Sequence, residues 1–169
     1  GMVFAFIAKE GKSIAEIIQN TSYSRYTLIT AKPRFPSDMK KEECLAIVQA
    51  FSQEEVKYFQ DNYKGIKILT IDGFLVEFDE AIWGFKGWFQ FRQSLSEPNK
   101  LYIDYEATTL DGIKKMNGLL REALLRHTSQ FPALAGVAQS IRDEDIDKLL
   151  PQQTLAINAN FQKSISYAK

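Results

Sequence analysis

The chain has 169 residues, enough for one domain with a short extension and too few for two full-sized domains. Hydrophobic residues make up 45% of it and charged residues 25%, a composition typical of a globular protein rather than a disordered one. Lys and Arg together number 21, as do Asp and Glu. This balance disfavours general nucleic-acid binding and binding to an anionic membrane surface.

The single cysteine, Cys44, excludes an intrachain disulfide and a zinc site built on paired cysteines. Such cysteine usage is typical of a reducing compartment, so we expect a cytoplasmic protein. The apolar stretches fall short of the roughly 18 residues that span a bilayer, and no membrane partner is expected.

The first predicted elements are two short helices and an edge strand. Residues 3–8 are apolar, and Ser13 with Glu16 forms a capping box that opens a second short helix, so residues 1–22 are predicted to be helical. Residues 25–31 are rich in β-branched and aromatic residues and are followed closely by two prolines. Proline cannot donate to a strand ladder, so this run is predicted to be an edge strand.

Helical spacing of apolar residues over 40–49 predicts the next helix. Ser52 and Glu55 form a second capping box, which predicts that this helix breaks near Ser52 and that another begins there. Four strands are then predicted at residues 66–71, 74–78, 86–92 and 101–106, with Asp72 and Gly73 in the first hairpin turn.

A long helix over residues 110–127, with Thr109 as its N-cap, is predicted to cover the apolar face of the sheet. The fold class is therefore α+β, an antiparallel sheet covered by helices in the order β-α-β-β-β-β-α. Residues 23–128 form the predicted domain. Residues 129–169 form a helical extension, with a turn at 131–133 and a short helix at 141–150.

The loop that joins the last two strands carries the strongest chemical signal. It combines the Arg92 guanidinium with two hydroxyls, those of Ser94 and Ser96, and several free backbone amides. Arginine binds phosphate oxygens bidentately, and hydroxyls and amides can satisfy the remaining lone pairs. The alternative is a purely structural hairpin in which Arg92 pairs with Glu97 or Glu106.

Residues 92–98 read Arg-Gln-Ser-Leu-Ser-Glu-Pro, which resembles the R-x-S-x-T-E-P loop of the α-D-phosphohexomutases, the phosphoglucomutase and phosphomannomutase family. Residues 72–78 are similar to the Asp-Gly strand of that family, residues 87–89 to its Trp strand, and residues 102–107 to its strand ending in Glu-Ala. Residues 3–17 resemble the helix that closes its third domain. The resemblance covers about three quarters of the chain.

The resemblance implies the fourth, C-terminal domain of such an enzyme, with a TBP-like fold. It also implies a phosphate site made by Arg92, Ser94, Ser96 and the Leu95 backbone amide. Leu95 stands where the family usually has Gly or Asn, residues that tolerate the left-handed conformation of a tight anion loop. Phosphate binding is then expected to be weakened if Leu95 adopts that conformation.

The resemblance also indicates which catalytic parts of such an enzyme this sequence lacks. The catalytic serine motif, the Asp-x-Asp-x-Asp metal loop and the sugar-reading loop of the family are absent from this sequence. The chain resembles part of an isomerase and is not expected to be active alone. It has no catalytic residue, metal site or cofactor of its own, and magnesium is expected only with the missing catalytic domains.

Two functions follow from these observations. The first is a phosphate-binding domain, truncated or split from its catalytic domains, that holds a hexose phosphate or inorganic phosphate weakly and works with a partner chain. The alternative is a non-catalytic, stand-alone module that keeps the fold without the ligand and uses residues 129–169 for dimerisation or for binding a protein partner. His127 and Cys44 are interpreted as structural residues, and the acidic residues at 143–147 as the start of a helix.

Overall fold

The computed structural model describes residues 27–70 and 72–149. Within these ranges the strands are β1 (Thr27–Ala31), β2 (Ile66–Leu69), β3 (Phe74–Phe78), β4 (Gly87–Gln93) and β5 (Leu101–Ala107). The helices are α1 (Lys41–Asn62), α2 (Glu80–Trp83), α3 (Leu110–Arg126) and α4 (Ala133–Gln139), and residues 143–149 are also helical. The predicted helices of residues 1–22 lie outside the described residues, as does the extension beyond residue 149.

The five strands form one antiparallel sheet in the order β1-β5-β4-β3-β2. This confirms the α+β fold class. It also confirms that β1 is an edge strand, with its residues Thr27–Ala31 paired to β5 only. The assignment to a TBP-like fold stays a prediction.

Alternation along the strands gives the sheet one buried face and one open face. In β5, Leu101, Ile103 and Tyr105 are fully buried, and the residues between them are half-buried. Helices α1 and α3 both pack on the buried face, where Phe51 of α1 contacts Phe74 and Phe91. The predicted covering helix is therefore confirmed, and α1 covers the same face.

The predicted break near Ser52 is wrong, because α1 runs without interruption through Ser52 and Glu55. A single buried stripe continues past this point at helical spacing and comprises Cys44, Ile47, Val48, Phe51, Ser52, Glu55 and Phe59. The Glu55 carboxylate contacts Arg126 and His127 of the facing helix end instead of capping a new helix. Packing against the sheet therefore outweighs the local capping pattern.

Around the sheet, two helices differ from the prediction, and the predicted Asp72-Gly73 turn has the expected backbone conformation. The short helix α2 was not predicted; it begins after Asp79, whose carboxylate accepts a hydrogen bond from Ala81 N, and ends at Gly84 with φ 75°. The helix α4 begins at Ala133, inside the turn predicted at 131–133. The predicted turn residues Asp72 and Gly73 both have positive φ, 49° and 117°.

The described part of the extension belongs to the same hydrophobic core as the domain. Asn117 of α3 accepts a hydrogen bond from the Tyr105 hydroxyl and donates to the Ile141 carbonyl oxygen and to Asp143. Complete burial, together with the Asp143 charge, raises the pKa of Tyr105. Asn117 thus ties β5 to the chain that follows α4.

None of the helices in residues 27–70 and 72–149 is long and apolar enough to cross a bilayer.

Candidate functional site

The β4–β5 loop, residues 94–100, is held at its base by the chain that follows β1. Residues 33–35 pair with residues 99–101: Phe35 N donates to the Asn99 carbonyl at 2.7 Å, and Leu101 N donates to the Pro33 carbonyl at 2.9 Å. Within the loop, Ser94 N donates to the Lys100 carbonyl at 2.8 Å. The loop is therefore part of the sheet edge rather than a free hairpin.

The two serines of the loop lie together. Ser94 is 6% exposed, and its Oγ accepts a hydrogen bond from Glu97 N at 3.2 Å. The Oγ atoms of Ser94 and Ser96 are 3.3 Å apart. Leu95 between them is 90% exposed and is not among the described residues with positive φ, so the left-handed conformation considered for it is not adopted.

Arg92 lies on the open face of the sheet, beside its cross-strand partner Tyr102. Its Nη2 is 3.5 Å from Asp104 Oδ2, and its guanidinium carbon is 4.6 Å from the centre of the Tyr102 ring. The predicted structural pairing of Arg92 with Glu97 or Glu106 is therefore wrong. Asp104 is the diagonal neighbour of Arg92 on this face, whereas Glu106 on the same face lies opposite Trp88, one further pair along the strands.

Glu97 pairs with two other cations of the loop region, Arg34 and Lys100, with 2.6 Å between Lys100 Nζ and Glu97 Oε1. Hydrogen bonds from Lys100 and Arg34 lower the pKa of Glu97, and the same contact with Glu97 raises the pKa of Lys100. The Arg34–Glu97 pair thus binds the loop to residues 33–35 by charge as well as by backbone hydrogen bonds, and the Lys100–Glu97 pair lies within the loop.

The predicted site residues do not all line one cavity. Arg92 lines a shallow pocket of about 510 Å³ on the open face with Lys32, Tyr102 and Asp104. Ser94 and Leu95 instead line a groove of about 650 Å³ between the loop and α1. The structure thus brings Ser94 and Ser96 together and leaves Arg92 on the other side of the sheet edge.

Three cations surround the Tyr102 ring, and two of them were not predicted. The distances to the ring centre are 4.6 Å from the Arg92 guanidinium carbon, 5.3 Å from Lys100 Nζ and 5.8 Å from Lys32 Nζ. Lys100 also contacts Glu97, whose backbone N–H reaches Ser94, so a continuous set of contacts joins Arg92 to the serines. The alternation of Lys100, Tyr102 and Asp104 along β5 was the available signal.

The titration of Glu97 tests this arrangement. Because the folded pKa is lower than the unfolded one, the stabilising contribution of Glu97 is fully present above the unfolded value and is lost as the pH falls through the folded value. We expect NMR of the side-chain carboxyl carbon to give a midpoint below the ordinary value of 4.5. Lys100→Ala should move the midpoint upward, and an unchanged midpoint in that variant would contradict the assignment.

A second charged cluster lies at the end of α3. Glu55, 1% exposed in its side chain, has Oε2 at 2.8 Å from Arg126 Nη2 and Oε1 at 2.7 Å from His127 Nε2. His127 Nδ1 is 3.3 Å from Glu54 Oε2. Both ring nitrogens of His127 therefore face carboxylates.

His127 also forms the C-cap of α3, as its structural interpretation predicts. Cys44 is fully buried, and this burial raises the pKa of its thiol, which disfavours a nucleophilic role. Among the described residues no group of three or more His, Cys, Asp or Glu side chains is placed to hold a metal ion.

Comparison of the chain with protein-family models and with curated proteins finds no match.

Proposed function

We propose that this chain binds a phosphate group, that of a hexose phosphate or inorganic phosphate, at the β4–β5 end of its sheet. The binding groups are Arg92, Ser94, Ser96 and the Leu95 backbone amide, which are the residues the phosphohexomutase resemblance implies. Lys32 and Lys100 extend this site on the open face.

The observation that carries the proposal is the set of three cations around Tyr102, next to a loop with two neighbouring hydroxyls. Asp104 contacts only Arg92 among these cations, and Glu97 contacts Lys100. Lys32 adds a positive charge to the same pocket. An oxyanion is the ligand that such a cluster attracts, because it adds charge-assisted hydrogen bonds to several cations at once.

The serine loop and Arg92 differ in which contacts they already make and so in how directly they can bind a ligand. Ser94 Oγ already accepts from Glu97 N, but its hydroxyl hydrogen can donate to a phosphate oxygen. Arg92, whose side chain is 33% exposed, contacts Asp104 at 3.5 Å, so a phosphate competes with Asp104 for its guanidinium. We therefore place the phosphate at the sheet edge, between the Arg92 pocket and the serine loop.

This function is binding without turnover. Phosphoryl transfer depends on positioning and on stabilisation of charge by groups that the sequence lacks, so a partner chain carrying the catalytic domains would supply the chemistry. Three or four charge-assisted contacts, set against the cost of association, correspond to about millimolar affinity.

The test is an NMR titration of labelled protein with glucose 6-phosphate and, separately, with inorganic phosphate. We expect saturable shifts confined to residues 92–100 and 32–34 in the intact chain and at least a tenfold weaker response in Arg92→Ala, which loses the bidentate donor. Arg142→Ala is the matched control, because Arg142 is a paired surface arginine of the extension. Equal binding by Arg92→Ala, or no shifts at tens of millimolar phosphate, would refute the proposal.

Within residues 129–149, the part of the extension that the structure describes, no observation favours the alternative of dimerisation. Five apolar side chains of its described part are buried in the core of the same chain: Leu134, Val137, Ala138, Ile141 and Ile146. These side chains are not available to a second copy.

A further inference from the structure

Asp104 is the one acidic residue among the described residues that line the pocket around Tyr102. Its side chain is 16% exposed and shares this pocket with Arg92 and Lys32, the cations of the proposed phosphate site. A carboxylate repels every anion that comes close to it, so it weakens a site whose only task is to attract negative charge. Its position beside Arg92 indicates a role in choosing between anions.

The Asp104 carboxylate is held in place by its neighbours in the sheet. Its Oδ1 accepts a hydrogen bond of 2.7 Å from the hydroxyl of Thr30, the residue paired with it in β1. On the other side Asp104 is paired with Gln90 of β4. The carboxylate therefore cannot turn away from a ligand in the pocket without losing the hydrogen bond from Thr30.

The second oxygen of this carboxylate, Oδ2, retains the capacity to accept a stronger hydrogen bond. Its distance to Arg92 Nη2 is 3.5 Å, whereas charge-assisted hydrogen bonds are typically about 2.7–2.9 Å long. Because the two groups are in contact, an oxyanion bound by the Arg92 guanidinium would place an oxygen near Asp104 Oδ2. An ionised carboxylate only accepts hydrogen bonds, so the ligand oxygen that faces it needs a hydrogen to donate.

Oxyanions differ in whether they carry such a hydrogen. Near neutral pH inorganic phosphate keeps at least one hydroxyl, whereas sulfate keeps none. A phosphate hydroxyl that donates to Asp104 Oδ2 replaces repulsion by a hydrogen bond. A sulfate in the same position would set two acceptors against each other, and an unpaired polar contact of this kind is how binding sites reject a close analogue.

We infer that Asp104 is a specificity-determining residue, which accepts a hydrogen bond from a phosphate hydroxyl and discriminates against oxyanions that have no hydroxyl. The inference rests on the proposed phosphate binding and adds the property by which the site selects its ligand. Arg92 and Lys32 attract the anion, Asp104 discriminates between anions, and Thr30 holds Asp104 in place.

The first test is an NMR titration of the labelled full chain near neutral pH with inorganic phosphate, sulfate and dimethyl phosphate as separate probes. Sulfate carries more negative charge than phosphate and dimethyl phosphate carries less, but both lack a hydroxyl hydrogen. Charge alone therefore cannot weaken the binding of both. We expect each to bind at least about tenfold more weakly than phosphate, because each loses one charge-assisted hydrogen bond. Sulfate or dimethyl phosphate binding as tightly as phosphate would overturn the inference.

Asp104→Asn provides the second measurement, because asparagine has a similar shape and its amide can donate to sulfate. We expect the ratio of phosphate affinity to sulfate affinity to fall to about one, mainly through stronger sulfate binding. Glu106→Gln is the matched control, since it removes one negative charge from the same face of the same strand, opposite Trp88, and should leave the ratio unchanged. A ratio that changes equally in both variants, or in neither, would refute the role of the Asp104 hydrogen bond.

The failure of this inference can be distinguished from the failure of the proposed function. If the intact chain binds none of the three probes at tens of millimolar, phosphate binding is refuted, and the role of Asp104 is overturned with it. If phosphate binds and Arg92→Ala weakens that binding, but sulfate binds equally well to the intact chain, only the role of Asp104 is overturned.

Discussion

Replacing both Arg126 and His127 with alanine is expected to lower the free energy of unfolding by about 3–5 kcal/mol. Glu55 is 1% exposed in its side chain and contacts Arg126 and His127 at 2.8 and 2.7 Å. Removal of these two side chains leaves the buried Glu55 carboxylate without the partners that compensate it. Urea unfolding followed by circular dichroism measures the loss.

A third substitution distinguishes the charge effect from lost packing. Adding Glu55→Met to the double variant removes the uncompensated carboxylate and keeps a side chain of similar volume. We therefore expect a large part of the lost stability to return. Glu54→Ala is the matched control on the same helix, because that side chain is 49% exposed and its loss should cost less than about 1 kcal/mol. A triple variant no more stable than the double one would show that packing, not charge, accounts for the effect.

Gly73→Ala is expected to destabilise the chain by about 4 kcal/mol or more. Gly73 has φ 117°, a conformation that alanine rarely adopts, and an added Cβ would lie 2.0 Å from the Phe91 carbonyl oxygen. This carbonyl cannot move away easily, since Phe91 is paired with Phe74 in the β3–β4 ladder. Thermal and urea unfolding give the magnitude.

Gly118→Ala is expected to have the opposite effect, an increase in the stability of the same chain. Gly118 lies within α3, and an added Cβ would meet no atom within 4 Å, so alanine should stabilise the helix by about 0.5–1 kcal/mol. Similar effects of the two substitutions would contradict the structural account of Gly73.

The sheet was predictable because its signals are local. Alternation along β5, the Asp72-Gly73 turn and the Thr109 cap each depend on a few neighbouring residues, and Thr109 does accept the hydrogen bond from Gly112 N. The false break in α1 has the opposite cause. Ser52 and Glu55 match a capping box locally. The contacts of Glu55, however, are made by Arg126 and His127, which follow it by 71 and 72 positions in the sequence.

The candidate site was predictable in composition and less so in geometry. The sequence predicted that Arg92 and two serines converge in one loop, whereas the structure brings the two serines together and leaves Arg92 in β4, on the open face of the sheet. The pairing of Arg92 with Asp104 depends on strand register, which no local pattern determines.

The pairing of residues 33–35 with residues 99–101 has a consequence for conformational entropy. A loop that becomes ordered only when its ligand arrives loses about 1–2 kcal/mol of backbone freedom per residue during binding. In this chain the base of the β4–β5 loop is already fixed by folding, so the phosphate binding proposed above would not carry this cost for residues 99–101. If the pairing of residues 33–35 with residues 99–101 were broken, the loop would have to become ordered during binding. Binding would then carry the entropic cost even with every proposed binding group unchanged.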